Sequence, residues 1–242
     1  MSLRSVVAFA LLLAAPFVAA QEEETESPWA GKATLGYLVT SGNTDNSTLN
    51  SSFEISYSSG DWKHLFGARA INATEDESTT AEAYEANWKS ERSLSEYNYL
   101  FGQLDWRKDR FSGYETQFSQ TAGYGRRLID KEKHKLNVEI GAGVRQSEPV
   151  NGTDENETII RAGLGYAWQI SETAAFTQGF KVESGDANTY SESKTALSAS
   201  VVGNLALVAS YTVKHNSDVP QLVLPPVEKT DTYTALSLEY VF

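Results

Sequence analysis

Apolar and polar residues alternate with a period of two along most of the chain. Between Leu136 and Val144 every second residue is aliphatic, and the residues between them are polar or glycine. Side chains of a β-strand point alternately to its two faces, so this pattern predicts strands with one apolar and one polar face. Twelve segments carry it: Trp29–Thr40, Ser47–Tyr57, Trp62–Asn72, Ala81–Arg92, Tyr97–Arg107, Thr116–Ile129, Leu136–Arg145, Ile160–Ile170, Ala174–Ser184, Ser193–Val202, Leu205–Lys214 and Thr234–Phe242.

The fifth segment is ambiguous. Tyr97, Tyr99 and Phe101 share one parity, whereas Leu104 and Trp106 share the other. A β-bulge inserts an extra residue and shifts the parity, and glycine within a strand often marks one. We therefore expect a bulge near residue 102.

An even number of amphipathic strands is typical of bacterial outer-membrane proteins. After residue 20 the chain has no long apolar run. This does not exclude a membrane protein, because a membrane strand needs an apolar residue only at every second position. We predict an all-β fold, a transmembrane antiparallel up-and-down β-barrel of about 12 strands. The formal net charge of -12 argues against a nucleic acid partner, since phosphates need basic groups.

Residues 1–20 have the three-part order of a secretory signal peptide. Arg4 precedes the apolar run Val6–Ala15, which is too short to cross a bilayer, and the small residues Val18–Ala20 follow. We expect cleavage after Ala20, an acidic flexible lead-in over residues 21–28, and the barrel over residues 29–242. The chain has no cysteine, which excludes a disulfide scaffold and a thiolate metal site.

The predicted connections alternate between tight and longer ones. The tight ones are Ser58–Asp61, Ser93–Glu96, Asp130–Lys135, Ser171–Thr173 and Gly203–Asn204, and the longer ones are Ser41–Asn46, Ala73–Thr80, Lys108–Glu115, Gln146–Glu157, Gly185–Glu192 and His215–Lys229. Short periplasmic turns and longer outer loops are typical of outer-membrane barrels, so we expect both termini in the periplasm. Aromatic residues near those ends would form an interfacial belt: Trp29, Tyr57, Trp62, Tyr97, Trp168, Tyr240 and Phe242.

The polar parity carries charges of both signs, which we expect to line the lumen. These residues are Lys32, Glu54, Arg69, Glu85, Lys89, Arg107, Glu139, Arg145, Arg161, Lys181, Lys194, Lys214 and Glu239. Such charges can close a small barrel by cross-lumen ion pairs or line a narrow aqueous path. The sequence leaves both alternatives open.

Three consecutive strands each carry a Gly-x-Gly motif on the polar parity. The glycines are Gly123 and Gly125, Gly141 and Gly143, and Gly163 and Gly165. Counted from the predicted turns they lie at similar heights, so we expect one inward patch without side chains. The patch either bends the wall or provides room for a solute or for long side chains such as Arg69.

Few residues suggest catalysis or metal binding. None of the three histidines lies in a recognised catalytic motif, and the segment His215–Asp218 is the candidate for a general base in an outer loop. Two acidic segments, Glu75–Glu77 and Asp154–Glu157, fit a solvated rim better than a cation site. We expect no cofactor, no metal and no enzyme activity, and keep an outer-membrane hydrolase as an alternative.

Several short motifs resemble the salt-induced outer membrane protein family (YdiY-like). They are Ser41–Asp45, Asp109–Phe111, Gly123–Gly125 and Gly141–Arg145, and the resemblance covers residues 29–242. Leu238, Tyr240 and Phe242 at the end of the chain also resemble the terminal signal that the barrel assembly machinery reads. The resemblance implies the fold, the outer membrane and a link to salt or osmotic stress, but no reaction.

The sequence thus predicts a narrow, weakly selective channel or an envelope-integrity protein. Its expected partners are outer-membrane lipid, lipopolysaccharide and, during biogenesis, the barrel assembly machinery. The alternatives are the hydrolase and a surface recognition protein that acts through its outer loops.

Overall fold

The computed structural model describes residues 27–40, 46–75, 78–109, 112–150, 153–219 and 227–242. Within them lie twelve β-strands, as predicted. The strands are β1 (Trp29–Thr40), β2 (Asn46–Ser59), β3 (Trp62–Glu75), β4 (Ser78–Ser93), β5 (Asn98–Asp109), β6 (Tyr114–Asp130), β7 (His134–Pro149), β8 (Glu155–Gln169), β9 (Ala174–Ser184), β10 (Thr189–Val202), β11 (Leu205–Asn216) and β12 (Thr230–Val241). The expected signal peptide and most of the expected lead-in lie outside the described residues.

The strands form one closed antiparallel barrel. Each strand pairs with the next in sequence, and β12 pairs with β1. The up-and-down topology is therefore confirmed. Whereas β1 and β2 share an uninterrupted register from Trp29 opposite Tyr57 to Thr40 opposite Asn46, the register of β1 with β12 runs only from Lys32 to Gly36. Beyond it, the amide of Gly31 donates to the Phe242 carbonyl (2.8 Å) and the Phe242 amide donates back (2.9 Å).

The outer wall of the barrel is apolar. Ile140, Ile160 and Tyr37 each leave more than 60% of their surface exposed, and most other large outward residues of the wall are between about 40% and 60% exposed. A soluble monomer does not expose a continuous apolar surface of this extent, because its contact with water is unfavourable. The hydrocarbon core of a bilayer accommodates this apolar wall, and closure pairs the two edge strands, β1 and β12, over Lys32–Gly36.

The predicted bulge near residue 102 is wrong. Burial alternates without interruption through β5, and the pairing of β5 with both neighbours runs straight through Gly102. Tyr99 and Phe101 instead point into the barrel, where they are almost fully buried, while Leu100 and Trp106 are exposed on the outer wall. The parity is constant, and two aromatic side chains lie on the polar face.

The two ends of the barrel differ in their connections. We call the end that carries Trp29 and Phe242 the terminal end and the opposite end the loop end. The turns at the terminal end are short, and Gly60 and Gly203 adopt positive φ (56° and 52°) in two of them. The connections at the two ends differ less in length than predicted, because the strands at the loop end continue through polar residues. β3 extends to Glu75 and β4 begins at Ser78, within a segment predicted to be a loop.

The aromatic residues expected in a belt lie near the terminal end. Trp29 packs against Tyr57 with ring centroids 4.6 Å apart, and Tyr240 stacks on Phe242 at 6.3 Å. His134 of β7 adds to this ring of aromatic side chains by stacking on Trp168. In the described part of the chain, no helix has the length and apolar character needed to cross a bilayer.

Candidate functional site

All thirteen residues expected to line the lumen lie on the interior face in the structure. Ion pairs between strands that are not neighbours show this for eight of them, because such side chains meet only by crossing the interior. Lys89 of β4 reaches Glu139 of β7, and Lys214 of β11 reaches Glu85 of β4. The other five line a cavity within the lumen: Lys32, Glu54, Arg69, Lys194 and Glu239. The six glycines share this face, as do Tyr99 and Phe101.

A cluster of buried charges fills the lumen between its middle and the loop end. Glu183, the next-to-last residue of β9, has no exposed surface. Its carboxylate lies 3.3 Å from Arg107, 3.3 Å from Arg161 and 3.9 Å from Arg145. Three guanidinium groups from three other strands therefore converge on one carboxylate. Burying such charges is costly unless each is paired.

The cluster extends towards the middle of the barrel through Arg161. Its guanidinium also lies 3.7 Å from Asp105 and 3.9 Å from Glu139. Glu139 accepts a hydrogen bond of 2.7 Å from the Tyr99 hydroxyl and pairs with Lys89. We call the ion pairs of Arg107, Arg145 and Arg161 with Asp105, Glu139 and Glu183 the lumen plug.

Other contacts hold the plug in place. Arg145 pairs with Glu157 and donates to the backbone carbonyl of Asn188, while Arg107 lies 3.7 Å from the centre of the Tyr190 ring. Lys181 reaches Asp105 at 3.6 Å. A second group of charges, Glu85 with Lys214 and Arg69, lies beside the plug.

The glycine patch faces inward but is not empty. Gly123 lies directly opposite Gly141, and the rings of Phe101 and Tyr99 cover Gly123 and Gly125. A Cβ added at Gly143 would overlap the backbone carbonyl of Gln120, so the walls of β6 and β7 approach closely there. The structure contains both features that the sequence suggested for the patch. The wall is tightly packed at Gly143, and aromatic rings occupy the room at Gly123 and Gly125.

The β8 glycines are placed differently from the expected level patch. Gly163 lies opposite Glu139, and Gly165 lies opposite Asn137, so this pair is displaced along the ladder relative to Gly141 and Gly143. A Cβ at Gly163 would meet nothing closer than 3.6 Å. The six glycines therefore form a diagonal band that is open at Gly163, whereas the Asn137 side chain covers Gly165. Arg69 does not fill the band; it pairs with Glu85 at 3.9 Å.

A polar cavity of about 620 Å³ lies in the lumen on the side of the plug towards the terminal end. We call it the terminal cavity. Its charged lining consists of Lys32, Glu54, Arg69, Lys135, Lys194 and Glu239. Small inward residues create the space: Gly165 and Gly179 face each other across β8 and β9, and Ser198 and Ser210 contribute only hydroxyl groups. Lys32 lies 3.4 Å from both Glu54 and Glu239 at its edge.

Two members of the plug were not predicted from the sequence. Asp105 and Glu183 were not among the predicted lumen residues, although each lies two residues from one that was, on the same parity. The alternation of inward and outward side chains alone predicts that Asp105 and Glu183 face the lumen. The inward Tyr99 and Phe101 were missed because apolar residues were assigned to the outer face. The pairing of β5 with β6 could have indicated their inward position, because it places Tyr99 opposite Gly125 and Phe101 opposite Gly123.

The candidate catalytic segment does not form a catalytic arrangement in the structure. Nδ1 of His215 is hydrogen bonded to the Thr230 hydroxyl at 2.8 Å. The Ser217 hydroxyl instead donates to the side chain of Asn188, and Asp218 accepts from the amide of Val219. Among the described residues no group of three or more metal-ligating side chains comes together. Asp76 and Glu77 lie outside these residues.

The three residues of the expected assembly signal lie on the outer wall. Leu238, Tyr240 and Phe242 are about half exposed. The Phe242 ring lies beside Gly31, where an added Cβ would approach it to 2.7 Å. The last residue of the chain therefore takes part in closing the barrel.

Comparisons with solved structures agree with this architecture. The NanC porin has a TM-score of 0.52 with 9% identity, over 87% of this chain and 98% of the porin. The COG4313 outer membrane channel from Pseudomonas putida F1 has a TM-score of 0.51 with 9% identity, over 92% of this chain and all of that one. At such identities the likeness concerns the fold alone. Together with the apolar outer wall, it identifies an outer-membrane β-barrel.

Sequence comparison supplies the family. The family described as "Protein of unknown function, DUF481" matches residues 33–242. "Uncharacterized protein YdiY" of Escherichia coli (strain K12) is 34% identical over 215 residues, which are 89% of this chain and 84% of the relative. Matches of this extent confirm the resemblance drawn from the short motifs, and the chain belongs to the DUF481 family of YdiY-like proteins.

Proposed function

We propose that the protein is a narrow channel of the outer membrane whose lumen is constricted by the plug. The observation that carries this proposal is the asymmetry of the lumen. The terminal cavity has about 620 Å³, whereas the void beside Lys214 and Tyr190, towards the loop end, has about 20 Å³. The first volume accommodates a small solute, and the second has room for about one water molecule.

The polar lining supports a path for ions rather than a purely structural interior. A barrel interior that served stability alone could be packed with apolar side chains, which are as stable as buried ion pairs or more so. This lumen instead carries paired charges at its constriction and hydroxyl and amide groups in the cavity. Pairing of opposite charges at the constriction would make selectivity weak.

Conductance of the refolded protein in planar bilayers tests the proposal. Phe101 lies within the constriction, 5.2 Å from the Lys89 ammonium and 5.9 Å from the Arg161 guanidinium. Phe101→Ala removes its ring without leaving a charge unpaired, so unitary conductance should rise. Leu100→Ala is the matched control, because Leu100 neighbours Phe101 but faces outward. Absence of unitary currents from wild type and Phe101→Ala alike would contradict the proposal.

We further propose that the loop end faces the exterior and that both termini are periplasmic. The short turns and the belt of aromatic side chains at the terminal end support this orientation. Lipid and lipopolysaccharide would contact the outer wall, and the assembly machinery would read Leu238, Tyr240 and Phe242. The link to salt or osmotic stress rests on family resemblance. Growth of a deletion strain at raised salt, with and without the plasmid-borne gene, tests it.

A further inference from the structure

The terminal cavity has an excess of positive charge that the rest of the chain does not share. The chain as a whole has 20 basic and 32 acidic residues. In the lining of the cavity, by contrast, four basic side chains stand against two acidic ones, Glu54 and Glu239. The basic residues are Lys32, Arg69, Lys135 and Lys194. Basic side chains are therefore concentrated at this interior surface, although the chain as a whole is acidic.

The pairing of these groups leaves two ammonium groups available. Both acidic residues lie against Lys32, each at 3.4 Å. Arg69 has Glu85 at 3.9 Å, a long contact that leaves part of its guanidinium free to donate elsewhere. Lys135 and Lys194 form no ion pair with any of the residues that the structure describes. Lys135 is exposed, whereas Lys194 is half-buried and the carboxylates that act on it, Glu54 and Glu192, form no ion pair with it. A confined charge that lacks a close ion pair favours a counter-ion.

The position of Lys194 gives a ligand room to approach it. Lys194 lies opposite Gly179, which lies opposite Gly165. The Asn137 side chain covers Gly165, so the open space beside Lys194 is the one over Gly179. A Cβ at Gly179 would meet nothing closer than 3.9 Å. Ser198 and Ser210 line the same cavity with neutral hydroxyl groups. Lys135, at the start of β7, lies at the mouth, and Lys194 lies deeper.

We infer that the terminal cavity binds a small hydrophilic anion. Lys135 attracts the anion at the mouth, Lys194 pairs with it, and Arg69 and the serine hydroxyls donate hydrogen bonds. The inference rests on the proposed channel in one respect: if the protein conducts, small anions should pass in preference to cations. Binding to the cavity itself does not require conduction.

Two measurements on the refolded full barrel test the inference. The first is calorimetric titration with inorganic phosphate, with choline as the cationic probe. The second is the reversal potential across a KCl gradient. The variants are Lys194→Gln, which removes the charge, Lys194→Arg, which keeps it, and Lys108→Gln, the same change at an exposed outward position of β5.

Phosphate should bind to wild type and choline should not. Lys194→Gln should weaken phosphate binding by at least about fivefold, the factor expected for losing a unit charge 4 Å away in water. It should also shift the reversal potential towards cations, whereas Lys194→Arg and Lys108→Gln should resemble wild type. Equal binding by Lys194→Gln, or cation-selective currents from wild type, would overturn the inference and leave the channel standing. Lys194-dependent binding without any current would refute the channel and leave the site standing.

Discussion

Neutralising Glu183 is the sharpest test of the lumen plug. The side chain of Glu183 has no exposed surface, and its carboxylate contacts Arg107, Arg145 and Arg161. Glu183→Gln keeps the shape of the side chain but removes its charge. The three guanidinium groups then remain buried with one counter-charge fewer, and a buried charge without compensation is strongly unfavourable.

The contacts that remain set the magnitude. Removing one partner of a buried ion pair costs about 3–5 kcal/mol. Arg145 keeps Glu157, and Arg161 keeps Asp105, so two of the three groups retain a carboxylate. Arg107 is left above the Tyr190 ring, which offers a weaker cation–π contact. We expect Glu183→Gln to lower the free energy of unfolding by about 3 kcal/mol, at the lower end of that range.

Urea unfolding in lipid vesicles, followed by tryptophan fluorescence, measures this loss. Glu54→Gln is the matched control: the same chemical change at a side chain that is 49% exposed and lies 3.4 Å from Lys32. A pair exposed to that degree contributes at most about 1 kcal/mol. Equal losses in the two variants, or a more stable Glu183→Gln, would refute the view that the plug is a buried, mutually dependent set of charges.

Three further predictions concern the walls and the ends of the barrel. Leu238→Arg, on the lipid face, should destabilise the barrel by about 2–4 kcal/mol, whereas Gly163→Arg should not incur this lipid penalty; urea unfolding in vesicles compares them. Gly143→Ala should destabilise the fold because its Cβ would overlap the neighbouring backbone, while Gly163→Ala should be nearly neutral, and equal unfolding midpoints would contradict this. An impermeant maleimide on intact cells should label a cysteine at Asp154 and not one at Lys133; the reverse labelling would invert the topology.

The fold could be predicted from the sequence because period two is a direct consequence of strand geometry. Every strand of the barrel was found, and the ends were less certain because backbone pairing does not depend on side-chain polarity. The segment Ala73–Thr80 illustrates this, since a run that reads as a loop is mostly strand.

The interior could be predicted only in part. Parity placed Arg107, Arg145 and Arg161 inside, but which carboxylate each would meet depends on contacts across the lumen. Those contacts join strands far apart in sequence, and the tilt and register that bring them together are not encoded in any one strand. The inward position of Phe101 likewise follows from a relation between two strands, because the glycine opposite it leaves space for the ring.

The pairing of β1 with β12 differs from the other strand pairings, and we expect it to form last during folding. These two strands are the most distant in the sequence, so joining them carries the largest loop-closure entropy of any neighbouring pair. Their register covers only Lys32–Gly36, and the reciprocal bonds between Gly31 and Phe242 complete it. A sheet assembled by successive hairpins would therefore remain an open, growing ribbon until its final residue is in place. The backbone of Phe242 then completes the closure of the barrel.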